Sequence, residues 1–167
     1  MKLSDYFLVV ASGAHARFFT LEPAEHPEVE SGPNLIERGE LSSLEKEKRA
    51  GDLFSDSKPG RGRAPQGGSS HGYNDHRLQH EDEMDRRFAH RVMERTILLV
   101  QAHQASCLVL VAPPRMFRLF RRDLDILRKH GVELHKVAKD ISKLSLKQIH
   151  NLLAKEKMIP PCKKPGI

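Results

Sequence analysis

The chain has 167 residues, of which 38% are hydrophobic and 30% charged, and its formal net charge is +6. This length predicts a single domain with a sizeable core, and the positive charge favours polyanionic partners such as nucleic acid. Aromatic residues make up only 5% of the chain and Trp is absent, which argues against a broad platform of rings for base stacking.

Cysteine usage and the first residues of the chain indicate where the protein resides. Cys107 and Cys162 form no CxxC motif, which is typical of a reducing compartment. The amino terminus has no signal-peptide pattern, and the first apolar run, 6–11, is too short to cross a bilayer. We therefore expect a cytoplasmic protein without a membrane span, and we leave open whether it forms a homo-oligomer.

The first third of the chain predicts three strands. Residues 6–11 are continuously apolar and rich in β-formers, which is typical of a strand buried on both faces. Ser12-Gly13 predicts a turn into a second strand over 16–21, and a weaker third strand is predicted over 35–41. Residues 57–74 are rich in Gly and Arg and predict a flexible loop, because a stretch this rich in glycine and proline disfavours regular structure.

The rest of the chain predicts alternating helices and strands. In order these are a helix over about 76–104, a buried strand over 107–112, a helix from Pro114 to Gly131, a strand around 132–137, and a short helix opened by the capping box of Ser145 and Gln148. The last residues, 155–167, are rich in Lys and Pro and predict a disordered basic tail.

This order of elements predicts the fold class. Three consecutive strands form an antiparallel meander, and the later strands join the sheet through βαβ crossovers. We therefore predict a single α/β domain over 1–154, with a mixed five-stranded sheet and helices on its faces. The same order is that of the ribonuclease-H-like fold.

Five segments, taken together, resemble the bacterial family described as "protein required for attachment to host cells". They are V-V-A-S-G-A-H-A-R-F-F (9–19), D-L-F-S-D-S-K-P-G-R (52–61), R-R-F-A-H-R-V (86–92), L-V-L-V-A-P-P (108–114) and K-D-I-S-K-L (139–144). The resemblance covers nearly the whole chain. The family in turn resembles the middle domain of eukaryotic and archaeal class-1 peptide-chain release factors, in which a G-R-G-G-Q loop precedes a long helix.

The counterparts of that loop are Gly60-Arg61-Gly62-Arg63 and Gln66-Gly67-Gly68. Here Gln66 precedes the two glycines, whereas in the release factors the glutamine follows them. The resemblance therefore implies the fold and the position of the loop, and it does not imply hydrolysis of peptidyl-tRNA. We expect a binding protein rather than an enzyme.

Two groups of residues are predicted to contact nucleic acid, because guanidinium groups and glycine backbone approach phosphates closely. The predicted contact residues are Arg61, Arg63, Gln66, Gly67, Gly68 and His71 in the loop, and Arg118, Arg121 and Arg122 on one face of the helix after Pro114. The alternative for the loop is a disordered insertion, and the alternative for the helix is the ordinary wet face of an amphipathic helix.

Arg17 lies on the second predicted strand between apolar neighbours. We predict that it pairs with Asp52 or Asp56 and anchors the base of the Gly- and Arg-rich loop. The alternative is that its side chain emerges on the solvent face of the strand.

No metal or cofactor is expected. His76 and His80 share a helical face at i, i+4 spacing and are weak candidates for metal ligands, since no cysteine is near them. A two-metal nuclease requires converging carboxylates, and the strands 6–11 and 107–112 contain none.

The sequence thus predicts an RNA- or ribosome-associated factor. Its alternatives are an interaction protein that affects attachment to host cells, and a hydrolase of unknown substrate.

Overall fold

The computed structural model describes residues 1–44, 46 and 70–166, with the backbone alone for 70–75. Five strands and, within those residues, three α-helices follow a short 3-10 turn at Leu3–Asp5. In chain order they are β1 (Tyr6–Ala11), β2 (His15–Glu22), β3 (Asn34–Ser42), α1 (Ser70–Ala102), β4 (Cys107–Ala112), α2 (Pro114–Lys129), β5 (Glu133–Ala138) and α3 (Leu146–Lys155).

The strands form one mixed sheet in the order β3-β2-β1-β4-β5. β1, β2 and β3 pair antiparallel as a meander, and β1–β4 and β4–β5 pair in parallel. The predicted α/β domain, with its five-stranded mixed sheet, is therefore confirmed. The ribonuclease-H-like part of the prediction is compatible with this strand order and stays a prediction.

The two central strands are the most deeply buried elements. Every residue of β4 is buried, and in β1 only Tyr6 is partly exposed. Both strands have the predicted bounds, because each is a continuous apolar run that ends at a turn signal, Ser12-Gly13 after β1 and Pro113-Pro114 after β4.

Alternate residues of the central strands pack into two separate cores. On one face, Phe7 and Val9 of β1 pack with Phe88 of α1 and Phe120 of α2. On the other face, the intervening residues of β1, such as Leu8, belong to the second core, which also contains residues of α3. The strand period of two thus places α1 and α2 on one face of the sheet and α3 on the other.

The helix α1 begins earlier than the sequence predicts. It starts at Ser70 instead of about 76, so residues 70–74 of the predicted loop have helical backbone. The helix continues through Gly72, because one glycine in a helix costs only about 1 kcal/mol relative to alanine. At the other end it stops at Ala102, and Gln104 has a φ of 51°.

The carboxy-terminal segment lies against the domain, although its composition predicts disorder. Ile159 is 4% exposed and packs into the core beside α3. His150 Nε2 contacts the carbonyl oxygen of Pro160 at 2.9 Å, and Lys163 exchanges two backbone hydrogen bonds with Gly32. These contacts join segments far apart in the chain, which local composition does not reveal.

Candidate functional site

The candidate site lies at the edge of the sheet where β1 and β4 end. The two strands are parallel neighbours, so their carboxyl ends meet at one edge. β1 continues into the Ser12-Gly13 turn, and β4 continues into Pro113 and the first turn of α2. In open α/β sheets, ligands bind in the crevice beyond the carboxyl ends of the strands.

Ser12 builds the turn after β1. Its hydroxyl oxygen accepts a hydrogen bond from the backbone N–H of His15 at 3.0 Å and another from Ala14 at 3.3 Å. The backbone N–H of Ser12 donates to the carbonyl of His15 at 2.7 Å. The hydroxyl therefore fixes the turn and places the carbonyl of Gly13 at the edge of the sheet.

Asp85 is a buried carboxylate at this edge, and two cations accompany it. Its side chain projects from α1 and the residue is 8% exposed. Lys46 Nζ donates to Asp85 Oδ1 and also to the carbonyl oxygen of Gly13 at 2.8 Å. Arg115 Nη1 lies 3.5 Å from Asp85 Oδ2. A buried charge requires such compensation, and here the positive charges of Lys46 and Arg115 balance the negative charge of the carboxylate.

Gly13 allows Arg115 to approach the turn. A Cβ atom built on Gly13 would lie 2.3 Å from Arg115 Nη2, closer than side chains tolerate. The guanidinium group therefore packs directly on the backbone of the turn. Any larger residue at position 13 would displace the end of the Arg115 side chain.

A cleft of about 250 Å³ opens beside this cluster, between α1 and α2. Its lining consists of Asp82, Asp85, Arg86, Arg115, Arg118 and Leu119. Pockets for organic ligands measure about 300–1,000 Å³, so this cleft suits a small anionic group better than a whole organic substrate. Three guanidinium groups surround it, and their planar N–H donors can form paired hydrogen bonds with phosphate or carboxylate oxygens.

The arginine face of α2 extends the cleft; we use this name for Arg115, Arg118, Arg121 and Arg122. All four are exposed, while Met116, Phe120, Leu124 and Leu127 of the same helix are buried. Within the described part of the chain, Arg118, Arg121 and Arg122 have no carboxylate within ion-pair distance. By contrast, Arg128 at the end of the same helix lies 3.6 Å from Asp125.

The remaining predicted nucleic-acid contacts cannot be placed relative to this site, since they belong to undescribed parts of the chain. Arg61, Arg63, Gln66, Gly67 and Gly68 lie outside the described residues, and so does the side chain of His71, whose backbone is in the first turn of α1. His76 and His80 are exposed on α1. Among the described residues, no three side chains of His, Cys, Asp or Glu gather closely enough to hold a metal ion.

Arg17 makes several contacts within the described part of the chain. Its predicted partners, Asp52 and Asp56, lie outside the described residues. The structure pairs Arg17 Nε with Glu37 Oε1 at 2.9 Å, and Arg17 Nη1 donates to the carbonyl of Leu144 at 2.7 Å. Arg17 therefore joins the meander to the segment before α3.

Sequence reasoning passed over Lys46, Asp85 and Arg115. Asp85 is one of several acids near the start of the predicted helix, where acidic residues are common because of the helix dipole. The available signal was its spacing, because Asp85 precedes Phe88 by three residues and Val92 by seven, which places it on the buried stripe of α1. A lone acid on such a stripe indicates a buried cation nearby.

None of the helices in the described residues has both the length and the apolar character that crossing a membrane requires.

Comparison with known proteins places the chain in a family. A comparison with curated proteins gave no match. A family model described as "Protein required for attachment to host cells" matches residues 7–153, so this chain belongs to that family.

Proposed function

We propose that this protein is a cytoplasmic RNA-binding member of the host-attachment family, and that RNA phosphates lie along the arginine face of α2. The observation that carries this proposal is the charge on that face, where Arg118, Arg121 and Arg122 have no carboxylate partner in the described part of the chain. Two other exposed arginines, Arg38 on β3 and Arg128 at the end of α2, are each paired with an acid.

The spacing of these arginines is unfavourable for the isolated protein. Arg118 and Arg122 are four residues apart, and Arg115 and Arg118 are three apart, so their like charges repel on the helix surface. Each such pair costs an isolated helix about 0.2–0.5 kcal/mol. A bound polyanion would screen this repulsion. Binding of a polyanion therefore explains why like charges are placed at this spacing.

The geometry favours contacts to the RNA backbone over base reading. From Arg115 to Arg122 the helix rises about 10 Å, at 1.5 Å per residue. Arg86 of α1 continues the positive surface across the cleft. The chain contains no Trp and few aromatic residues, so stacking of bases contributes little. We therefore expect binding that depends weakly on sequence and strongly on salt.

Arg61 and Arg63 belong to this proposal on sequence grounds alone. Ribosomal RNA is the natural substrate class, given the family's resemblance to release-factor domains. Under this proposal, the requirement for attachment that the family's description names is an indirect consequence of RNA binding.

The test measures binding of a fluorescently labelled single-stranded RNA of mixed sequence over a series of salt concentrations. Each phosphate contact contributes about 0.7 to the slope of log K against log salt for single strands. The double variant Arg118→Gln/Arg122→Gln should reduce the slope by about 1.4, since it removes two contacts. The matched control is Arg128→Gln, on the same helix, which should leave the slope unchanged.

Two results would contradict the proposal. One is the absence of RNA binding at low salt by the wild-type protein. The other is a loss of binding free energy in Arg128→Gln that is half of the loss in the double variant, because equal losses per charge removed would reflect net charge and not a defined surface. A separate variant, Arg61→Ala/Arg63→Ala, tests the contribution of the Gly- and Arg-rich segment, and co-sedimentation with ribosomes tests the substrate class.

A further inference from the structure

A second site lies on the opposite face of the sheet from the arginine face. A groove of about 480 Å³ separates α3 from the carboxy-terminal segment. Leu35 of β3 and Leu146 of α3 are among its apolar lining residues. This volume is within the range of about 300–1,000 Å³ for sites that enclose small organic molecules.

The charged side chains of the groove all have the same sign. Lys147 lies on the α3 side, and Lys163 and Lys164 lie on the other side. All three are exposed, and the described residues provide no carboxylate within ion-pair distance of them. Apolar walls with an uncompensated positive rim favour a ligand that has an apolar body and an anionic head.

The groove depends on contacts that hold its second wall. His150, which is 5% exposed, contacts the carbonyl oxygen of Pro160 at 2.9 Å. Beyond it, the two backbone hydrogen bonds between Gly32 and Lys163 fix the segment beside the start of β3. The wall is therefore part of the folded domain, so the groove exists before a ligand arrives.

We propose that this groove binds a single-chain amphipathic anion, such as a medium-chain carboxylate. The alkyl chain would lie mainly on Leu146, which is 38% exposed, with the buried Leu35 beneath it, and the carboxylate would contact Lys147 and Lys164.

Cys162 provides a reporter inside the groove. It is exposed and lines the groove, whereas Cys107 is fully buried in β4. Burial raises the pKa of the Cys107 thiol to about 11, so a neutral alkylating agent such as iodoacetamide reacts with Cys162 alone in the folded protein. The rate of that reaction, followed by mass spectrometry, measures how far a ligand covers the groove.

The experiment measures the alkylation rate of Cys162 in the full chain against increasing decanoate. Decanoate should slow the reaction several-fold at saturation. Octanoate, which is two methylenes shorter, should bind about 15-fold more weakly, because each methylene contributes a factor of about four. The variant Lys147→Gln/Lys164→Gln should weaken decanoate binding about tenfold.

The matched control is Lys155→Gln, which changes an exposed lysine of α3 outside the groove and should retain wild-type protection. The proposal is overturned if decanoate leaves the rate unchanged, or if uncharged decyl maltoside protects Cys162 as well as decanoate does. It is also overturned if Lys155→Gln loses at least half as much binding free energy for decanoate as the groove variant does, because the loss per charge would then be the same inside and outside the groove.

Discussion

Lys46 and Asp85 form an ion pair that joins the chain just after β3 to the middle of α1. The same ammonium group donates to the carbonyl of Gly13 at 2.8 Å, and Arg115 approaches the other carboxylate oxygen at 3.5 Å. One buried carboxylate thus organises four separate segments of the chain. The ion pairs hold Lys46 and Arg115 at the edge of the sheet, while the carboxylate of Asp85 itself is buried.

Replacement of Asp85 by Asn should destabilise the protein by about 1–3 kcal/mol. The change leaves Lys46, which is only partly exposed, without its carboxylate partner. Urea unfolding followed by circular dichroism measures the change in the free energy of unfolding. The control is Asp82→Asn, one turn earlier on the exposed side of α1, which should change stability by less than about 0.5 kcal/mol. Equal effects of the two variants would show that Asp85 has no special role.

Arg17→Ala should cost more stability than Arg38→Ala. Arg17 donates to Glu37 and to the carbonyl oxygens of Ser142 and Leu144. Within the described residues, these two carbonyl oxygens accept no other hydrogen bond. We expect a loss of about 1–3 kcal/mol. Arg38 pairs with Glu22 on the surface, and such pairs contribute about 0–1 kcal/mol. Thermal and urea unfolding of both variants make the comparison, and a larger loss in Arg38→Ala would refute it.

Cys107 should make stability depend on pH in the alkaline range. Burial, with smaller effects of Glu133 and Asp5, raises the pKa of its thiol from 9.0 to about 11. The unfolded chain therefore loses this proton at lower pH than the folded protein does. Below pH 9 the contribution to stability is complete, and it declines by up to about 2 kcal/mol as the pH rises towards 11.

The variant Cys107→Ala isolates this effect, because other groups also titrate in that range. Burial, and after it the Cys107 thiolate, raise the pKa of the neighbouring Tyr6 as well, so the difference between the two proteins reports Cys107 together with its effect on Tyr6. The free energies of unfolding of wild type and variant are compared between pH 8 and pH 11. The wild type should lose stability faster, so a constant difference across the range would contradict the expectation.

Arg118→Gln/Arg122→Gln should raise the stability of the protein while it weakens RNA binding. Removal of the like-charge pairs on α2 should increase the free energy of unfolding by a few tenths of a kcal/mol. Unfolding at low ionic strength measures this gain, which added salt should reduce. If the variant is instead clearly destabilised, the arginines support the fold and their charge pattern needs no ligand to explain it.

The sequence predicts the central sheet well because its signals are local. β1 and β4 have the predicted bounds, and the capping box of Ser145 and Gln148 is present, with Gln148 N–H donating to Ser145 Oγ at 3.3 Å. The start of α1 and the packed carboxy-terminal segment were missed. Ile159 is buried through contacts with a distant part of the chain, and no composition rule contains that information.

The candidate site was predictable only in part, for the same physical reason. Arg118, Arg121 and Arg122 follow from the period of an amphipathic helix, so their common face could be read directly. The cluster of Lys46, Asp85 and Arg115 comes from three separate segments. These residues are close in space only because of the way the sheet is connected, and the sequence alone does not reveal that connection.

The parallel pairing of β1 with β4 also constrains how the protein is made. Tyr6 pairs with Cys107, roughly 100 positions further along the chain, and such long-range pairing slows folding. During synthesis, β1 emerges early and its partner emerges last among the central strands. Until then one edge of an entirely apolar strand is open to other chains, which makes this interval prone to aggregation.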